Sequence, residues 1–193
     1  NASLSYGLDV SSTSAVGANV KVFRQFLAPQ ESSAVLDTMD EDGASTDFAL
    51  DIAYLNRHLF TDRLSLGILL SNMGPRISFL DENRADPPPT TLRVGLNARL
   101  VQAERHSLSF AYDVSKLLVS RDDDGKPQPF FTAIFTSWFD DPAKQEFNQL
   151  MHNFGMEYWY DGLLAFRMGG FYQAAGELRT TNNLPIPTFG AGI

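Results

Sequence analysis

Apolar and polar residues alternate along this chain with a period of two. The clearest run is Thr91-Leu92-Arg93-Val94-Gly95-Leu96-Asn97-Ala98-Arg99-Leu100. Leu92, Val94, Leu96, Ala98 and Leu100 are apolar, and the residues between them are charged, polar or tiny. Successive side chains of a strand point to opposite faces, so this spacing puts every apolar group on one side. Strands of soluble sheets usually run about 5–6 residues, whereas a tilted strand needs about 9–11 to cross a bilayer. The same pattern recurs over roughly 2–10, 15–26, 46–56, 63–72, 90–101, 106–115, 152–160, 163–173 and 187–193. Examples are Phe48, Leu50, Ile52, Tyr54, then Leu64, Leu66, Ile68, Leu70, then Leu108, Phe110, Tyr112, Val114. Nine such segments predict an all-β chain, an antiparallel transmembrane β-barrel.

The connections add a second pattern. Short ones near 11–14, 57–62, 102–105 and 161–162 alternate with long ones near 27–45, 73–89, 116–151 and 174–186. Outer-membrane barrels have short periplasmic turns and longer extracellular loops. The alternation therefore predicts one barrel domain over 1–193, integral to a bacterial outer membrane, with its long loops facing the cell exterior. Nine strands is odd, while single-chain bacterial barrels have an even number. The chain opens at Asn1 inside a strand pattern and closes inside another, so a fragment lacking strands at both ends is expected.

Composition agrees with this picture. The hydrophobic fraction is 44% and the mean hydropathy is −0.16, the average that alternating lipid-facing and lumen-facing residues produce. No run approaches the ~18 apolar residues of a membrane helix; the nearest, Phe130 to Phe139, is short and contains Thr and Ser. The net charge of −8 argues against nucleic acid as a partner. With no cysteine, disulfides, thiolate metal sites and cysteine catalysis are ruled out. Thr38, Asp40, Asp42 and Gly43 only faintly match a calcium loop, because the first position is not Asp and Ala49 occupies the twelfth. His58, His106 and His152 lack metal-ligand spacing. There is no nucleophile elbow, zinc helix motif or phosphate loop. Neither an enzyme nor a cofactor is expected.

The faces opposite the apolar stripes form the expected lumen. Asp9, Lys21, Asp51, Arg93, Arg99, Asp113, Glu157 and Arg167 point there, four acids and four bases. They read as a charge network filling a narrow barrel, since buried charges need partners, or as a selectivity lining. The long loops carry the candidates for partner contact: Phe79 in 73–89, and Phe130, Phe131, Phe135, Trp138 and Phe139 in 116–151. Exposed aromatics need covering, either by folding into the barrel mouth or by docking a protein. Asp141-Pro142 is expected to start a helix running through Phe147, with Pro at its first position.

Four segments resemble a known family. Ser71-Asn72-Met73-Gly74-Pro75-Arg76-Ile77-Ser78-Phe79 is similar to the "SN-x-GPKISY" segment of PorV proteins. Pro88-Pro89-Thr90-Thr91-Leu92-Arg93-Val94-Gly95 is similar to the "LPTTLRLG" that follows it there. Ser109 to Val119 resembles the strand "FALDLNKLLV". Gly155 to Tyr160 with Leu164 to Tyr172 resembles "GVEYWY…FALRAGYFYE". The order is the family's, over most of 45–193. The sequence departs from the family at Asn182-Asn183-Leu184-Pro185-Ile186, where Gly-Asn-Arg is expected, and in its Phe-rich stretch after Lys126. The resemblance implies a FadL-like barrel of fourteen strands from a Bacteroidetes-type bacterium. It implies a component of the type IX protein secretion system, a transport role without catalysis. Such a barrel binds the giant translocon barrel, receives secreted proteins through their C-terminal signal domains, and shuttles them to the surface attachment complex. Outer-membrane lipid or lipopolysaccharide would surround it. A FadL-like channel for hydrophobic small molecules is the alternative.

Overall fold

The computed structural model describes residues 2–26, 44–75, 89–122, 127–139, 143–174 and 185–193. Nine strands follow one another in a single antiparallel sheet, in the order in which they occur along the chain. They are β1 (Ala2–Asp9), β2 (Ser14–Phe26), β3 (Ala44–Asn56), β4 (Leu64–Met73), β5 (Thr91–Gln102), β6 (His106–Leu117), β7 (Met151–Tyr160), β8 (Leu164–Gln173) and β9 (Ile186–Gly192). Every expected strand is present with its ends within two residues. Over this chain the sheet is not closed: β1 and β9 are its two edges. Among the described residues between β6 and β7 are two short helices, α1 (Phe130–Thr136) and α2 (Ala143–Gln149). Among the described residues no helix is long and apolar enough to cross a membrane.

The register sorts the side chains as the period of two requires. Leu66 faces Leu96, Leu96 faces Tyr112, and Tyr112 faces Phe154 on one side. Ser5 faces Asn19 and Asn19 faces Asp51 on the other. The apolar side is open to the surroundings: Leu4 is 77% exposed, Phe48 56% and Phe189 79%. A soluble fold buries such side chains in a core. Here Ala49, Met73, Leu118, Ala133 and Ala165 are the buried apolar residues among those described, and they form no continuous core. A whole sheet face of exposed large apolar groups is stable when lipid is the solvent.

Two irregularities shape the sheet. A register shift between Leu50 and Ile52 accompanies Asn72 on the partner strand, where φ is +60°; a second lies between Arg99 and Val101. Such bulges re-aim side chains and sharpen twist. The short turns are tight. Asp161 and Gly162 adopt φ of 55° and 65°, the two positive values of the type I′ hairpin for which Asp-Gly is suited. Neighbouring turns are also tied together. Arg57 N–H donates to Thr13 O (2.7 Å), Arg99 N–H to Arg63 O (2.8 Å), and Asp161 N–H to Arg105 O (2.6 Å).

Candidate functional site: the polar face and the aromatic helices

Among the described residues, the polar face carries the cross-strand ion pairs Lys21–Asp51, Arg93–Asp113 and Glu157–Arg167, each with amide or indole support. Midway along β2 and β3, Lys21 Nζ lies 2.8 Å from Asp51 Oδ1. The other Asp51 oxygen accepts from Asn19 Nδ2 (2.9 Å), and Asn19 in turn accepts from Ser5 Oγ (2.9 Å). The bulge residue Asn72 completes the cluster. Its N–H donates to Asp51 Oδ1 (2.8 Å), and its own Oδ1 accepts from Lys21 Nζ. Residues from three strands thus converge on one carboxylate, because the left-handed backbone at Asn72 turns both its N–H and its side chain inward.

Further round the sheet, Arg93 Nε lies 3.5 Å from Asp113 Oδ1, which also accepts from Asn153 Nδ2 (2.8 Å). On β7 and β8 the pair is Glu157 with Arg167, which face each other in the register. Trp159 Nε1 donates to the free oxygen of Glu157 (2.7 Å), and the Arg167 guanidinium sits over the Trp159 ring at 5.6 Å. A hollow of about 510 Å³ opens beside this pair, bordered by Asn97, Ala111, Gly155, Gly169, Thr188 and Gly190. It exists because small residues stand where neighbouring strands would otherwise present bulk.

The eight expected lumen charges therefore divide. Lys21 and Asp51, Arg93 and Asp113, and Glu157 and Arg167 pair as described. Asp9 pairs instead with Arg57 in a short turn (3.3 Å). Arg99 is held through its backbone to Arg63. The arrangement is a set of separate local pairs spaced round the face. Asn19, Asn72, Asn153 and Trp159 belong to these clusters. Period-two reading places Asn19, Asn153 and Trp159 on the right face but cannot single them out. It cannot place Asn72, because a bulge breaks the parity.

Phe79, the calcium-like segment at Thr38, Asp40, Asp42 and Gly43, and the long connections 27–43 and 76–88 lie outside the described residues. The other aromatic candidates fall on or just after α1. Phe130 and Phe131 stack edge to face at 5.6 Å and border an apolar groove of about 400 Å³ with Phe48, Leu50, Met73 and Pro129. Phe48 and Leu50 belong to the apolar face of β3. The helices thus sit against the apolar face of the sheet. Phe135 is 73% exposed and Phe139 86%. Trp138 donates from Nε1 to Ile134 O (3.1 Å) and lies over Lys116 Nζ at 5.2 Å. Lys116 also forms a buried ion pair with Glu146 of α2.

No protein-family model matches the chain, and no curated protein matches it. Among solved structures it is similar to the toluene transporter TodX of Pseudomonas putida, with a TM-score of 0.51 and 13% identity. The match covers 98% of this chain and 58% of TodX, so the chain spans little more than half of that protein's length. At this identity the likeness speaks for the fold alone, an antiparallel sheet curved as in the TodX β-barrel.

Proposed function

We propose that this chain is the greater part of the wall of an outer-membrane β-barrel, with its long connections facing the cell exterior. The observation that carries this is the exposed apolar face set opposite a polar, ion-paired face within one FadL-like sheet. For the finer role we propose a PorV-like component of type IX secretion that binds the translocon and secreted substrates and passes them to the surface attachment complex. The four ordered motifs support it. So does the chemistry of the polar face. A conduit for hydrophobic molecules needs a continuous apolar path, whereas Lys21–Asp51, Arg93–Asp113 and Glu157–Arg167 make this stretch of the inner face charged.

A second reading is a channel for hydrophobic small molecules. The likeness to a toluene transporter favours it, and of the two roles it is the one that the comparison with solved structures supports. One experiment separates them. The tagged full-length protein is purified from native outer membranes in mild detergent, and co-purifying proteins and extracted small molecules are both identified by mass spectrometry. Recovery of a very large barrel with secreted proteins bearing C-terminal signal domains is the outcome expected for secretion. Recovery of the barrel alone, with bound hydrophobic compounds, transfers the assignment to the channel.

A further inference from the structure

The helix pair between β6 and β7 presents a problem of solvation. From Pro127 to Phe139 there is no charged residue. One side of α1 is buried: Ala133 and, just beyond the helix, Ser137 are each only 1% exposed. Phe131, Phe135, Trp138 and Phe139 follow the i, i+4, i+7, i+8 spacing of one stripe that runs past the end of α1; all four are exposed, as is Phe147 of α2, and the stripe touches the sheet at Phe131, beside Phe48 and Leu50, and at Trp138, over Lys116. Thr136 is turned back onto its own segment: its hydroxyl donates to Gln128 Oε1 (2.8 Å) and lies 3.2 Å from Thr132 O. A short helix that is apolar on both sides needs cover on both.

Position identifies the cover. Phe130 and Phe131 meet Phe48 and Leu50 of the lipid-facing surface round one groove. In the register Lys116 faces Leu92, so it belongs to that surface too, and it lies beneath the helices. The stripe is therefore continuous with the apolar face. Height agrees. At the short-turn end of the same face, His106 Nδ1 lies 2.7 Å from the Tyr158 hydroxyl and the His106 ring packs on Tyr160 at 5.4 Å, an aromatic girdle of the kind that marks a membrane boundary. Lys116 is ten residues further along β6. That is about 34 Å along the strand at ~3.4 Å per residue, or about 24–28 Å along the membrane normal at a tilt of ~35–45°, against an apolar band about 25 Å tall. The helices over Lys116 stand at the second boundary.

We propose that α1 and α2 form an interfacial collar. They lie on the outside of the barrel wall, with Phe131, Phe135, Trp138, Phe139 and Phe147 immersed in the headgroup–acyl boundary of the leaflet on the long-connection side. Their occupant is the lipid surface. The collar fixes the vertical position of this side of the barrel and covers a lysine that would otherwise face lipid. This inference rests on the outer-membrane reading above.

The test uses Trp138 as reporter. Trp159, the other tryptophan of this chain, is held on the polar face by Glu157 and Arg167. The full-length protein and its Trp138→Phe variant are reconstituted into vesicles of phosphatidylcholine brominated either near the headgroup or near the chain terminus. Their emission difference isolates Trp138. The expected result is strong quenching of that component, by about half or more, and stronger with shallow than with deep bromines, as for a side chain in the outermost 5–10 Å of the acyl region. A Trp138→Phe background carrying Phe135→Trp repeats the measurement from a second point on the stripe. If the protein floats with the vesicles but both reporters are quenched by aqueous acrylamide and not by brominated lipid, the collar is wrong, and the stripe is a water-facing surface for a protein. If the protein does not float with the vesicles at all, the outer-membrane reading itself falls.

Discussion

At the scale of single residues, Lys116 and Glu146 are the least expected pair in this chain. Both are nearly buried, at 3% and 8% exposure, and Glu146 Oε1 has no hydrogen-bond partner among the described residues. A buried ion pair adds little net stability, but removing one partner strands the other charge at a cost of about 3–5 kcal/mol. Lys116→Met is therefore expected to loosen the helix pair, seen as faster limited proteolysis between residues 118 and 150 in vesicles. Lys116→Met with Glu146→Leu should recover most of the resistance. Equal proteolysis of the single and double variants would show that the pair does not pin the helices. Asn72 makes a second residue-scale case. Its φ of +60° costs a β-branched side chain about 1–3 kcal/mol, and its side chain also serves Lys21. Urea unfolding of the reconstituted barrel should rank wild type above Asn72→Gly, which loses only the side chain, and Asn72→Gly above Asn72→Val, which loses both. The sequence marks neither site, since nothing local to Lys116 announces a partner thirty residues away.

At the scale of elements, strand packing depends on where glycine permits close approach. A Cβ at Gly169 would stand 2.6 Å from Phe154 O and 3.3 Å from the Cα of Gly155, the residue it faces in the register. A Cβ at Gly67 would meet nothing within 4 Å. Gly169→Ala must push backbone apart, and is expected to cost about 1–3 kcal/mol, as overpacking does. Gly67→Ala should stay within about 0.5 kcal/mol. The urea midpoint of each reconstituted variant checks this, and equal midpoints would refute it. The strands themselves were legible from alternation, and 161–162 was legible as a short connection from the spacing of the strands on either side. The helix α2 begins within two residues of its expected start at Asp141-Pro142. Helix α1 was not legible. Phe130-Phe131-Thr132-Ala133-Ile134-Phe135-Thr136 is a short continuous apolar run, which periodicity cannot assign to helix or strand, and the residue preceding it, Pro129, caps it without a side-chain hydrogen bond.

At the scale of the whole molecule, the chain's own sequence determined the strand count, the strand ends, and the face on which each regular strand residue lies. It also determined the alternation of short and long connections. These follow from a period of two and from turn chemistry, both local properties of the backbone. The tertiary structure decided what meets across the strands. Cross-strand register joins Lys21 to Asp51 and Glu157 to Arg167, sends Asp9 to Arg57, and leaves the charges as separate pairs. A bulge, invisible to a strict period, delivers Asn72 to Asp51. The tertiary structure also decided that the aromatic connection meets the apolar face of the sheet, because Phe48 and Leu50 of β3 border a groove with Phe130 and Phe131, and Lys116 of β6 pairs with Glu146. Pairing across strands and docking of a connection depend on shear, register and packing between distant segments, and a one-dimensional alternation carries no information about any of them.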